Sequence, residues 1–347
     1  MKFHERMWAL AICLFAALAI TIPASAQTIT TFDVRGAVNG TFPYTIILNG
    51  AITGYYTTAD GLNHGFLRAP DGTITKFDVP GAGGGTGTLP ISMNQAGTIV
   101  GEYSDASNRL HGFRRDSMGH ITTYDVPVPG ALRTVIFAIN PVGTIAGFYR
   151  DASFVAHGYV RTAEGKFTSY DIPGGSIYEE CAGACLNPAG TYAGMYYDAS
   201  GNYHGYLRAS NGSITTFDAP GAIWTWASGI NPGGAVTGIF VDNVVYAEHG
   251  YVRNSDGSFT TFDAPGAAGT EPTGINPGGV VSGDYFDSSP VYHGFLRTAD
   301  GNIVTFDIPG AGTAPYQGTF PIGLTPAGTI TGYYCDATTC HGFVWKQ

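Results

Sequence analysis

Apolar and polar positions alternate along this chain in short runs bounded by Gly, Pro, Asn or Asp, the two-residue period of strands with one buried face. Thr144-Ile145-Ala146-Gly147-Phe148-Tyr149 and Thr329-Ile330-Thr331-Gly332-Tyr333-Tyr334 show it most plainly. Past residue 26, the longest stretch free of Gly and Pro is Ile239 to His249, which leaves long amphipathic helices nowhere to form. The pattern predicts an all-β chain of many short strands.

The strands recur as a unit. His-Gly followed by Phe or Tyr stands at His64, His111, His157, His204, His249, His293 and His341, in steps of 47, 46, 47, 45, 44 and 48 residues. An aromatic-Asp pair keeps the same rhythm at Asp33, Asp78, Asp125, Asp171, Asp218, Asp263 and Asp307. Each unit reads as four strands. The first ends apolar-Asn, as at Ile139-Asn140, and the second follows an Asn-Pro-x-Gly turn. The third begins His-Gly, and the fourth, after an Asn-Gly or Asp-Gly turn, ends in the aromatic-Asp pair. Seven such units with no helix to cover them bury their faces best by stacking radially, so the sequence predicts a seven-bladed β-propeller over residues 27–347, with four antiparallel strands per blade. The first copy opens on a fourth-strand sequence, Thr28 to Val34, and the last stops after its third strand. The N-terminal strand is therefore expected to complete the last blade and close the ring.

Copies carrying Asn-Pro-x-Gly, Asp-Ala-Ser and His-Gly-Phe resemble the bacterial extracellular HAF-repeat family, with His-Gly-Phe or His-Gly-Tyr as the triplet here. The resemblance covers all seven copies. It implies a secreted β-propeller and brings no catalytic residue with it.

Composition sharpens the compartment more than the chemistry. Hydrophobic residues make up 44% and charged ones only 12%, which allows a large core and excludes a highly charged disordered chain. Met1 to Ala26 reads as an export signal: Lys2 and Arg6, an apolar run from Met7 to Ile22, then the small-residue site Ala24-Ser25-Ala26. No later segment has the length of a membrane span, and a secreted or periplasmic monomer is expected. Without the signal the chain holds 14 basic against 25 acidic side chains, a net charge of −11, which argues against nucleic acid as a partner.

His with a carboxylate is the usual acid/base pairing, yet repetition argues for structure. Six of the histidines precede their Asp by 14 residues, which places His64 opposite Asp78 across a hairpin, and likewise His111 and Asp125, His157 and Asp171, His204 and Asp218, His249 and Asp263, and His293 and Asp307. Asp33 is expected to meet His341 across the closure. These pairs read as one clamp per blade. Asp105-Ala106-Ser107 and Asp198-Ala199-Ser200 offer one carboxylate each and read as turns rather than calcium loops, so no metal and no cofactor is expected. Export makes disulfides plausible, with local pairings Cys181–Cys185 and Cys335–Cys340.

Loop length varies between the second and third strands and between the fourth strand and the next unit, two connections that emerge on one propeller face. Trp224, Trp226, Phe42, Tyr44, Tyr178 and Phe320 fall in or near the latter, with Glu179, Glu180 and Glu271 beside them. Counted from the Asn position, Tyr44, Trp226, Glu271 and Phe320 share one column. Aromatics with a few acids suit a glycan or an extracellular protein, so the chain reads as a non-enzymatic binding propeller. A polysaccharide hydrolase or lyase, or a structural matrix component, are the alternatives.

Overall fold

A computed structural model of the chain describes residues 27–178 and 184–347. Every regular element among them is a strand. Residues 41–77, 88–124, 133–170 and 175–217 each form a four-stranded antiparallel sheet of consecutive strands. The remaining strands form one twelve-stranded sheet. Within it, sets 222–262, 269–306 and 318–346 are joined by single parallel bridges, Glu248 to Gly269 and Tyr292 to Gly318. Strand Thr28–Phe32 pairs antiparallel with Cys340–Lys346, from Thr28 opposite Lys346 to Phe32 opposite Gly342.

Two repeated glycines explain why the unit has this shape. The first strand of most sets is bulged, as between Pro43 and Thr45 or Pro272 and Gly274, and the bulge pushes a carbonyl toward the second strand. A Cβ on Gly54 would collide with the Phe42 carbonyl oxygen, and one on Gly283 with that of Glu271. The glycine of His-Gly faces the aromatic of the aromatic-Asp pair: Gly65 lies opposite Phe77, and a Cβ there would enter the ring. The His-Gly motif and the aromatic-Asp motif are thus two halves of one packing contact.

Buried clusters lie between neighbouring sets rather than inside them. Phe137, Ala146 and Phe148 pack against Ile177, Tyr192 and Tyr206 of the next set, and Leu296 and Phe306 against Ile330, Phe343 and Trp345. Two ladders run from set to set. The Arg four residues after the repeated His lies over the aromatic of the preceding set, as Arg115 over Phe77 and Arg253 over Phe217, at 4.9 Å in both cases. In the last set Trp345 replaces that Arg and stacks on Phe306 at 4.5 Å. The other ladder uses the repeated Asn, whose Nδ2 donates to the next set's carbonyl: Asn94 to Asn140, Asn140 to Asn187, Asn187 to Asn231, and Asn231 to Asn276. The first and last sets also meet. Thr41–Ile46 packs against Gly318–Leu324 and Ile330–Cys335, and Arg68 lies over Phe32. The disulfide Cys335–Cys340 staples the turn between its two strands.

Candidate functional site

The repeated histidines are held on three sides. Nδ1 lies 2.6–2.9 Å from the hairpin Asp in every set: Asp78, Asp125, Asp171, Asp218, Asp263 and Asp307 for His64 to His293, and Asp33 for His341. The imidazole stacks on a second-strand aromatic, as His64 on Tyr56 at 5.2 Å and His249 on Phe240 at 5.0 Å. Nε2 faces a third group that spacing alone did not reveal, the Asp that opens the second-to-third connection. Asp105 Oδ2 lies 3.1 Å from His111, Asp242 Oδ2 3.1 Å from His249, and Asp151 Oδ2 3.4 Å from His157. In the first set Thr58 Oγ1 takes that place, 3.0 Å from His64. Burial opposes the charge on His157 and His249, but the two flanking carboxylates outweigh it and raise both pKa values above the ordinary imidazole range. The Asp-Ala-Ser segments are Asx turns: Asp105 Oδ1 accepts the Ser107 and Arg109 backbone N–H at 2.8 and 3.0 Å. Their oxygens are occupied by backbone and imidazole, and no metal-binding cluster occurs among the described residues.

The two variable kinds of connection lie side by side. Gly85 N donates to Asn108 Oδ1, Arg109 to the Ala131 carbonyl, and Tyr316 N to the Pro290 carbonyl. Three aromatics stand out on this face: Phe154, Tyr246 and Tyr316 are 69%, 70% and 74% exposed, and each has a positive φ, 64°, 60° and 65°. That backbone region is unfavourable for bulky side chains.

Between the sets lies a cavity of about 410 Å³, lined by residues of six of them, including Tyr44, Glu102, Phe137, Met195, Trp226 and Glu271. Of the residues singled out from sequence, it gathers Tyr44, Trp226 and Glu271. Trp224, Phe320 and Tyr178 do not line it. Trp224 and Trp226 are half-buried within strand Ala222–Ile230, with Tyr203 of the preceding set edge-on to both at 5.9 and 6.0 Å. Phe320 sits in a run of rings, 4.7 Å from Tyr292 and 4.9 Å from Tyr333. Tyr178 packs edge-on against Tyr197 and Tyr203. Glu179, Glu180 and Cys181 lie outside the described residues, as does the expected bridge to the buried Cys185 and the export signal at 1–26.

The expected column needs one correction. Ile47 N bonds the Ala51 carbonyl as Asn94 N bonds that of Thr98, so Ile47, not Asn49, is the counterpart of Asn94. Phe42 therefore joins Trp226, Glu271 and Phe320, and Tyr44 lies two residues further along its strand. The register also exposes two acids that sequence reasoning passed over. The residue after the second-strand glycine is Tyr55, Phe148, Met195, Ile239 or Tyr333 in five sets, but Glu102 and Asp284 in the other two. That departure from an apolar column was the available signal. Burial pushes the Glu102 carboxyl up to about 7, with Arg133 pulling the other way, and Glu102 Oε2 has no hydrogen-bond partner among the described residues. Asp284 lies opposite Glu271, and burial first, then the Glu271 charge, raise it well above the carboxylate range.

No family model matches the chain, and no curated protein matches it by sequence. Solved structures share its shape. A streptogramin B lyase aligns with a TM-score of 0.60 at 16% identity, over 92% of this chain and 97% of that one. Virginiamycin B lyase from Staphylococcus aureus gives 0.60 at 17%, over 92% and 100%. The β-propeller domain of the Trilobed protease from Pyrococcus furiosus gives 0.56 at 10%, over 88% and 96%. With its succession of four-stranded antiparallel sets, the chain has the fold of a β-propeller.

Proposed function

We infer that the chain is an exported, monomeric propeller of seven blades, of the HAF-repeat kind, that binds an extracellular protein or glycan on its variable face without catalysis. Closure by Thr28–Phe32 is supported by its pairing with Cys340–Lys346 and by the packing of the last set on the first. The observation that carries the binding reading is the trio Phe154, Tyr246 and Tyr316. Each combines solvent exposure of a large ring with an unfavourable backbone, a pairing that packing does not reward and that a partner would. The seven His clamps are occupied by their Asp partners, which leaves the unrepeated residues to carry specificity. A glycan array and a pull-down from culture medium test the reading. The wild type is expected to bind, the variant F154A/Y246A/Y316A to lose at least tenfold in affinity, and Met118→Ala, in a turn of the opposite face, to bind normally. Equal binding by the triple variant would refute it.

One observation favours a second reading, a hydrolase or lyase acting on a polysaccharide. Glu271 stands opposite Asp284, whose carboxyl is raised well above the carboxylate range by burial and then by the Glu271 charge, as the acid of an acid/base pair requires. Release of reducing or unsaturated ends from extracellular polysaccharides, abolished by Glu271→Gln, is the result that would support it.

A further inference from the structure

Glu102 is half-buried, with its Oε2 shielded from solvent and without a hydrogen-bond partner among the described residues. It stands opposite Leu89, at a position that five other sets fill with apolar or aromatic side chains and one with Asp284. Leaving a buried acceptor unpaired costs about 1–3 kcal/mol, and more for a charge. Arg133 acts on Glu102, yet its guanidinium lies over the Phe148 ring and Oε2 has no hydrogen bond among the described residues. As a piece of packing, the residue is a poor choice.

As one wall of the cavity it makes sense. Trp226 and Tyr44 bring aromatic rings, which attract cations, to the wall, and Met195 and Ile239 suit a chain of methylenes. Glu102 and Glu271 bring two carboxyl groups to the wall, and a carboxylate takes a cationic N–H donor at short range. An anion would meet two acids.

We propose that the cavity receives an ammonium group carried on an aliphatic stem, with Glu102 accepting its hydrogen bond and Trp226 flanking it. The proposal rests on the binding reading above and narrows the guest to an amine, either a free alkylamine or the lysine side chain of a protein partner.

Calorimetric titration of the chain from Gln27 onward tests it, with n-butylammonium, neutral n-butanol, methyl α-glucoside and a capped Gly-Lys-Gly peptide as probes. An amine probe is expected to bind at least tenfold more tightly than butanol, and Glu102→Gln to weaken it at least tenfold. Binding of the peptide alone assigns the stem to a partner's lysine, and binding of both amines assigns the site to amines in general. Failure of both amine probes, equal binding of butanol, stronger binding of the glucoside, or an unchanged affinity in Glu102→Gln overturns the proposal. Should that variant fail to fold, Trp226→Leu serves in the same titration, and undiminished affinity overturns it. F154A/Y246A/Y316A separates the two readings. Amine binding that survives there while the partner is lost leaves both standing, whereas a cavity silent to amines in a chain that still binds its partner removes this one alone.

Discussion

The hairpin that carries His-Gly and the bulged strand pair beside the cavity both recur from set to set and are opposite in side chains. In the hairpin, the same imidazole, carboxylate and aromatic return in every set, with Nδ1 to Asp distances confined to 2.6–2.9 Å. In the strand pair, one register position holds Tyr55, Glu102, Phe148, Met195, Ile239, Asp284 and Tyr333 in turn. A scaffold of identical contacts can be repeated because each set needs the same joint. The cavity where the sets converge is not bound by that need, and its walls differ from set to set. The division of labour is spatial: constancy at the outer strands, variation where the sets converge.

The comparison can be broken most severely at its frame. Deleting residues 28–32 removes the strand paired with Cys340–Lys346 and the Phe32 ring under Arg68. The product is expected to be insoluble or to melt without cooperativity, and a soluble, cooperatively melting chain would show that the frame does not depend on that strand. Next in size is the clamp. His157→Ala removes contacts to Asp171 and Asp151 and the stack on Tyr149, with an expected loss of about 2–4 kcal/mol in chemical denaturation. The raised pKa of His157 gives the sign of the pH effect. The folded state binds the proton more tightly than the unfolded one, so the stabilisation is complete below about pH 6.5 and fades as pH rises through the folded pKa. The denaturation midpoint of the wild type should fall between pH 6 and pH 8, and by less in His157→Ala.

The smallest effect belongs to the variable column, and its direction is reversed. Glu102 also holds its proton more tightly when folded, near pH 7 against about 4.5 in a free chain, so at pH 8 it must either ionise unpaired or bind a proton. Glu102→Gln is expected to stabilise the protein at pH 8 by on the order of 2 kcal/mol and to change little at pH 5. A variant less stable than wild type at pH 8 would mean that Glu102 serves the frame after all.

The frame was the more legible part of the sequence, for a physical reason. A contact repeated seven times marks the chain with a period, and the 14-residue interval from His64 to Asp78 already implies a hairpin of fixed register. The loop Asp on Nε2 was harder to see, because Asp105 and Asp151 precede His111 and His157 by six residues across a turn whose form the spacing does not dictate. The cavity was less legible still. Tyr44 was misplaced by two residues because Asn49, which caps its own turn at Ala51 N, looks like the repeated Asn that Ile47 replaces. Glu102 and Asp284 gain their character from burial and from neighbours in other sets, which a linear reading does not juxtapose.

The tryptophans among the described residues divide between these two regions. Trp224 and Trp226 lie on one strand, with Trp226 on the cavity wall, whereas Trp345 is fully buried against Phe306 within strand Cys340–Lys346, opposite Ile29 of the N-terminal strand. The molecule therefore carries two built-in optical reporters. If the proposed guest enters the cavity, emission from the first pair is expected to respond, while that of Trp345 is expected to change only when the assembly opens.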